Sequence, residues 1–550
     1  MKVEISRYFQ TIIHLKMKQI YFQILKRIPF KNKPVYIHVE PELSHQDKNF
    51  VESIRKKSSM KNSTTYEFFG ERGDIDHIKW NSEKKDKLWL YNLHYFQDLN
   101  AENYRERISW HKNILSRWIR ENPITQSIGW DPYPLSLRAV NWIKWGLYTD
   151  QLSKSLRQNL FSHGLILEEN IEYHIMGNHL FSNIKALLFL GCYFDHSHSD
   201  RWLKIASKLF QKQVEEQILE DGGHFELSPM YHALVLEDFL DLINLNRVYP
   251  ERFPQSVFID IKNRLPEMFD WLYDMSFDDD VSLFNDSSQN IASKYNSLLD
   301  YSSRIGLEIP RRKFKSELNL INNRDSGYLI AYIHDVKFIF DVARLGPDYL
   351  LAHGHADTLS FEMSLGSDKI FCNSGTSTYE DSSRRLFERS TKAHNTVEIN
   401  NKSSSEVWKS FRVGRRAYPS KPIIEINKDT INIHCSHSGY STIFKKLDHN
   451  RDIKISDKNI IIRDYIEGNH ESAVARFILN SDIRVKKIGD YKIKLITKNQ
   501  KEVILSFNSK QISIVKWKHA TEFGELKDTF CIESLLDNGR SEIEIVFRCN

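Results

Sequence analysis

The chain has 550 residues, of which 41% are hydrophobic and 27% charged. This ordinary globular composition allows a sizeable core and excludes a disordered, collagenous or disulfide-scaffold protein. The 21 glycines and 14 prolines are few for this length and favour long helices over tight turns, while a net charge of only +5 without a nucleic-acid motif removes nucleic acid from the expected partners.

Most of the positive charge sits at the start. Residues 1–34 hold eight Lys or Arg against a single acid, Glu4. Ile5, Phe9, Ile12, Ile20, Ile24 and Ile28 recur there at helical spacings. The segment therefore reads as a basic amphipathic helix, either a peripheral contact with an anionic membrane or a leader helix packed on the main body. It lacks the uninterrupted apolar stretch and small-residue cleavage site of a signal peptide, and no run of 18 apolar residues occurs anywhere. Cys192, Cys372, Cys435, Cys531 and Cys549 form no CxxC pair and no disulfide framework. A reducing compartment is expected, in the cytoplasm or peripheral to the inner membrane, with the periplasm as the alternative.

Residues 35–310 read as helical. Apolar residues recur every three or four positions in 105–121, 136–150, 155–176, 179–195, 201–220 and 231–248, with short turn signals between several of them. Nine of the eleven tryptophans lie between Trp80 and Trp271. Many helices of similar length joined by short loops predict a solenoid or closed ring of helical hairpins. The charged segment 311–326 is the expected linker. From 327 onward short runs rich in Ile, Val, Phe and Thr alternate with polar turns, beginning with two around His334-Asp335. These predict a large antiparallel β domain of stacked sheets.

Three constellations carry chemistry. Within 171–183, read as one helix, His174 and Asn178 are four apart, as are His179 and Asn183, so amide and imidazole project together. In 220–232 an Asp221-Gly222-Gly223 turn ends one helix and Tyr231-His232 opens the next; a tyrosine there can give or take a proton. Asp221 and Glu226 could instead form a glycosidase carboxylate pair. In 353–395, His353 and His355 are two apart and on a strand would share a face, with Asp357 and His394 following, a set suited to a metal or paired-imidazole site.

Taken in order, these residues resemble the heparinase II/III family of polysaccharide lyases. The carriers are Gly177-Asn178-His179 with Asn183, Asp221-Gly222 with Glu226, Ser228 and Tyr231-His232, then His353-Gly354-His355-Ala356-Asp357, Ser374-Gly375-Thr376 and Arg389-Ser390 with Ala393-His394-Asn395-Thr396-Val397. More narrowly, 91–101, 129–145 and 405–417 look like a subgroup linked to bacterial capsule or surface-polysaccharide assembly. The resemblance implies an α+β chain, with an N-terminal incomplete (α/α) toroid followed by a C-terminal antiparallel β-sandwich and an active site between them. It also implies β-elimination at a uronic acid in an acidic polysaccharide or oligosaccharide, giving a 4,5-unsaturated product without a cofactor.

By the same resemblance, Asn178 and His353 hold the substrate carboxylate, His179 or Tyr231 takes the C5 proton, and Tyr231 protonates the leaving oxygen. Tyr91, His94, Tyr95, Glu226 and Arg389 contribute to substrate binding. The family's zinc site maps onto His355, Asn373 and His394; the neutral Asn373 stands where the family has aspartate, so any zinc is expected to be structural. The alternative reading is a noncatalytic glycan-binding or assembly protein that keeps the fold.

Overall fold

The computed structural model describes residues 2–27, 41–124, 127–310, 312, 318–509 and 511–547. The basic N-terminal segment is two helices, Lys2–Ile12 and Met17–Arg27, rather than one. The second is started by the Gln19 side chain, which accepts a hydrogen bond from the Lys16 N–H. Residues 28–34 of the predicted segment lie outside the described residues. One side of these helices straps the molecule: Arg7 pairs with Glu406 at 2.9 Å, Gln19 donates to the Tyr349 carbonyl, and Phe22 packs on Tyr173.

The helical half follows the predicted order. Its helices include Ile108–Glu121, Pro132–Thr149, Lys154–Glu169, Gly177–Tyr193, Ser197–Gln217, Pro229–Val248 and Gln255–Asp274. Their apolar faces share one core in which Trp118, Trp142, Trp145 and Trp202 are fully buried. The predicted helix over 155–176 stops at Glu169. Met176 (φ 68°) and Gly177 (φ 54°) adopt left-handed backbone that cannot continue a right-handed helix, so a new one begins at Gly177. His174 and Asn178 are therefore not on one helix, whereas His179 and Asn183 are.

The C-terminal half is antiparallel throughout. A five-stranded sheet runs in the order Asp368–Phe371, Phe361–Leu365, Val336–Asp341, Tyr328–Ile333 and Leu318–Asn323. An eight-stranded and a four-stranded sheet follow, and residues from all three, such as Phe338, Ile453 and Phe477, share one apolar core. Thr430–His437 shows the expected alternation of buried and half-buried positions. Two of the strands that the sequence leaves unmarked show why. Leu318–Asn323 falls in the predicted linker, because its polar LNLINN sequence suits a half-exposed edge strand. Phe361–Leu365 is buried at every position, so no alternation marks it.

Candidate active site

The helical half delivers its groups from two helix starts. Asn178 and His179 stand in the first turn of Gly177–Tyr193. Tyr231 stands in the first turn of Pro229–Val248, whose N-cap Ser228 accepts from the Tyr231 N–H and donates to the Asp286 carbonyl. Gly177 is required twice over: its φ is positive, and a Cβ there would meet Glu226 Oε1 at 2.5 Å. That same Oε1 accepts the Asn178 N–H at 3.1 Å. His179 Nδ1 donates to Glu172 Oε1 at 3.2 Å while its ring stacks on Tyr133 at 4.1 Å. Asn183 locks Glu172 from the other side, accepting its N–H and donating to Oε2. Burial pushes the Glu172 carboxyl up, but hydrogen bonds from His179 and Asn183 keep it below the ordinary carboxylate value. The His179 ring is thus oriented by an ionised partner, with Nε2 left to face a substrate.

The β half delivers His353 and His355 from an irregular loop, not a strand. They still converge, on a residue the sequence reading missed. Asp286 is fully buried and accepts from His353 Nδ1 through Oδ2 and from His355 Nε2 through Oδ1, both at 2.8 Å. Arg385 forks onto both of its oxygens. Burial pushes the Asp286 carboxyl up, but the Arg385 guanidinium and the two imidazoles outweigh it and hold it well below the usual carboxylate range. No spacing or motif in the sequence signals Asp286, which lies on a buried irregular stretch between two helices.

The two halves meet at this point. The Tyr231 and His353 rings pack with centroids 4.0 Å apart, and His353 Nε2 lies 3.4 Å from Glu226 Oε2. The Tyr231 hydroxyl is 3.1 Å from that of Tyr379, another residue given no role from sequence. Burial, with the Tyr379 hydroxyl and Asp286 nearby, raises the Tyr231 phenol well above its ordinary 10, so it stays protonated at neutral pH. Phe411 covers His353 edge-on at 6.2 Å. Asn178, His179, Glu226, Tyr231 and His353 thus gather around one region. Backbone strain gathers there too: the non-glycine residues Met176, Leu227 and Asn285, all with positive φ, lie within two residues of Asn178, Glu226 and Asp286.

Other expectations are corrected. His94 is fully buried, accepts from Trp118 Nε1 at Nδ1, faces the Trp80 carbonyl with Nε2, and is pushed down to about 3 by burial. It is a core residue, not a cleft residue. Arg389 is also buried and donates to the carbonyls of Gly354, Leu351, Lys409 and Arg412, bracing the histidine loop instead of binding substrate. Tyr91 and Tyr95 do reach the region, through a row of rings running Tyr91, Tyr95, Tyr133 and His179. Asp221 accepts from the N–H groups of Asp325 and Ser326, whereas Glu226 faces Asn178 and His353. The two acids make no glycosidase pair.

Ionised Asp286 and the Ser390 carbonyl can only accept, so His355 Nε2 and His394 Nδ1 must donate. In neutral rings His355 Nδ1 and His394 Nε2, 3.1 Å apart, then face each other as lone pairs. Two imidazoles therefore suit a cation. The third position does not: the Asn373 Oδ1 accepts the Asn395 N–H, and its buried Nδ2 has no partner. Among the described residues no group of three His, Cys, Asp or Glu is disposed to hold a metal ion. Two neutral ligands fall short of the four of a structural zinc, so the residues do not fit the family's site.

Two family models match the chain: Heparinase II/III N-terminus over residues 21–304, and Heparinase II/III-like, C-terminal, over residues 318–543. A heparin-sulfate lyase of Bacteroides stercoris is 24% identical over 391 residues, covering 60% of this chain and 56% of that protein. One from Pedobacter heparinus is 24% identical over 224 residues, covering 35% and 32%. The chain thus aligns with about half, or less, of the length of these curated relatives. Among solved structures, heparinase III superposes with a TM-score of 0.67 at 17% identity, covering 83% of this chain and 76% of that one. A heparan sulfate lyase from Pedobacter heparinus gives 0.55 at 16% identity, covering 88% and 81%. At such identities the likeness is one of fold.

Proposed function

The chain belongs to the heparinase II/III family, and from that premise we propose that it is a polysaccharide lyase that cleaves a uronic-acid-containing, glycosaminoglycan-like glycan by β-elimination. The observation that carries this reading is the Tyr231–His353 contact, which joins a phenol from the helical half to an imidazole from the β half. The helices are read as an incomplete (α/α) toroid and the sheets as a β-sandwich, a reading supported by one apolar core in the helices and another shared by the three sheets.

The reaction needs three things of a site. The C5 proton becomes acidic only when charge on the adjacent carboxylate is stabilised, the proton must then be removed, and the leaving O4 must be protonated. The C4–O4 bond breaks as C4=C5 forms, and no water is consumed. Asn178 and His353 bind the carboxylate, His353 as the imidazolium, which donates from Nδ1 to Asp286 and from Nε2 to the substrate; donors aimed at growing charge contribute roughly 2.7–4 kcal/mol each in well-studied oxyanion sites. His179, oriented by Glu172, takes the proton at Nε2. Tyr231, held as a neutral phenol, gives its proton to O4 and is recharged through Tyr379. A positioned acid or base contributes roughly 10²–10⁴-fold. The subgroup segments supply Tyr91, Tyr95, Tyr133 and Phe411 beside these groups. This supports a substrate drawn from bacterial surface polysaccharide.

The test is ultraviolet absorbance of the unsaturated product over a panel of uronate glycans. Wild type is expected to give a rising signal, and Tyr231→Phe and His179→Ala are each expected to lower kcat by roughly 10²–10⁴-fold with the fold retained. Full activity in both variants would reject the assigned roles. Binding without turnover across the panel would make this a glycan-binding protein on a lyase fold.

A further inference from the structure

The two N-terminal helices turn one side to the protein and the other to solvent, and the solvent side is apolar. Met17 is 78% exposed, Phe9 62% and Tyr21 58%, and Ile12, Ile13 and Ile24 are exposed beside them. Met17, Tyr21 and Ile24 fall at helical spacings i, i+4 and i+7, so they form one stripe. The opposite side is already committed to Glu406, Tyr349 and Tyr173. Large apolar side chains clustered in water mark a contact surface.

Charge identifies what covers it. Between Glu4 and Glu40 the sequence has no acidic residue, while Arg7, Lys16, Lys18, Lys26 and Arg27 lie along the two helices. Lys18, Lys26 and Arg27 are exposed as well, Lys18 lying over the Tyr173 ring at 4.4 Å and Lys26 reaching His174 Nε2 at 3.2 Å at the edge of the packed side. Arg7 and Lys16 pair with acids on the main body yet keep side chains 40% and 41% exposed. Neither helix, at 11 residues, can span a bilayer, and no helix of the described residues is long and apolar enough to do so.

We propose that this face docks onto an anionic lipid surface. The isoleucines, Phe9 and Met17 enter the acyl boundary, Tyr21 sits at headgroup depth, and the basic side chains meet the lipid phosphates. A second copy of the chain is a poorer occupant, because pairing these faces brings two uniformly basic segments together. Docking brings the cleft close to the lipid: Lys16 stacks over Tyr349, and the adjacent Leu350 is, with Glu226, one of the two side chains that a Cβ on Gly177 would strike, beside Asn178. The inference stands whether or not the chain turns over a glycan.

Co-sedimentation of the full chain with phosphatidylglycerol–phosphatidylcholine vesicles tests it. Wild type is expected to pellet with these vesicles, to be released by high salt, and to remain in solution with phosphatidylcholine alone. The triple variant Phe9→Ser, Met17→Ser, Ile24→Ser alters only exposed side chains and is expected to lower partitioning by more than about tenfold. Lys26→Glu with Arg27→Glu is expected to weaken binding to anionic vesicles, whereas Ile426→Ser, exposed elsewhere, leaves it unchanged. The proposal is overturned if wild type stays in the supernatant with anionic vesicles, if the triple variant pellets as well as wild type, or if that variant instead abolishes a dimer.

Discussion

The two sides of the candidate site are held by different physics. On the helical side, Asn178, His179 and Tyr231 stand at helix starts, and the contacts that fix the His179 ring and the Tyr231 backbone are near in sequence: Glu172, itself held by Asn183, for His179 and Ser228 for Tyr231. On the β side, His353 and His355 ride an irregular loop and depend on Asp286, 67 residues or more away, with Arg385 a further 99 residues from that aspartate. Local capping resists a single loss better than one buried hub does.

The largest effect is expected at the hub. Asp286→Asn leaves Arg385 buried and uncompensated, and it removes the ionised acceptor of both imidazoles. Breaking one partner of a buried ion pair costs about 3–5 kcal/mol. Denaturant unfolding should show that loss, and turnover should collapse with it. The helical counterpart, Glu172→Gln, keeps the shape and leaves no buried cation, so it should cost turnover far more than stability. Equal stability losses in the two variants would erase the contrast.

The same contrast explains what could be read from the sequence. The helical half was legible because apolar periodicity and the turn at Asp221-Gly222 are local signals, and Gly222, at φ 85°, does form that turn. The phenol and amide at the helix starts were legible because they lie in a compact ordered motif. The β loops were only half legible. The HxH spacing singles out His353, but nothing local singles out the acid that orients it, because Asp286 becomes a partner only through folding of distant segments. Arg389 and Arg385 are one turn apart on the same short stretch, and sequence alone could not tell which met Asp286 and which met backbone carbonyls. His94 failed for the opposite reason: it sits in an aromatic motif that does reach the cleft, but on the face turned toward Trp118.

A second outcome separates the halves by pH. Glu362 is fully buried beneath the β loops, where it accepts the N–H groups of Leu283 and Asn373, and burial pushes its carboxyl from 4.5 up to about 7. Between these values the native state holds a proton that the unfolded chain has released. Its contribution is therefore intact below about 4.5 and is lost as pH rises through about 7, a change on the order of 3 kcal/mol. Glu362→Gln cannot ionise and should hold its stability from pH 4.5 to 7.5 while wild type declines. Parallel declines would remove Glu362 as the cause. The helical half shows the reverse sign: His232 is pushed down to about 4 by burial, so its neutral form protects above 6.5 and is lost as pH falls through about 4.

Gly177→Ala probes the helical side more gently. A Cβ at φ 54° and 2.5 Å from Glu226 Oε1 must displace that carboxylate or the turn itself. The strain is on the order of 1–3 kcal/mol. Because Glu226 links Asn178 to His353, kcat should fall while the melting transition moves only modestly. Unchanged kcat would mean that the Glu226 position does not matter for turnover.

The smallest effect on stability is expected at Asn373, and it bears on the β side alone. His355 Nδ1 and His394 Nε2 already face one another, so a cation between them has two neutral ligands and lacks an anionic third, with water left to complete four. Asn373→Asp supplies one at nearly constant volume, and zinc sites favour a charged donor over a neutral amide. Wild type dialysed against buffer should then carry well under one zinc per chain, and the variant should approach one, as read by elemental analysis. The gain should appear as a metal-dependent rise in melting temperature with little change in kcat, since neither imidazole is among the groups assigned to the proton transfers. One tightly held zinc in wild type would instead mean that two imidazoles and solvent suffice there, and that the β loops have a second hub beside Asp286.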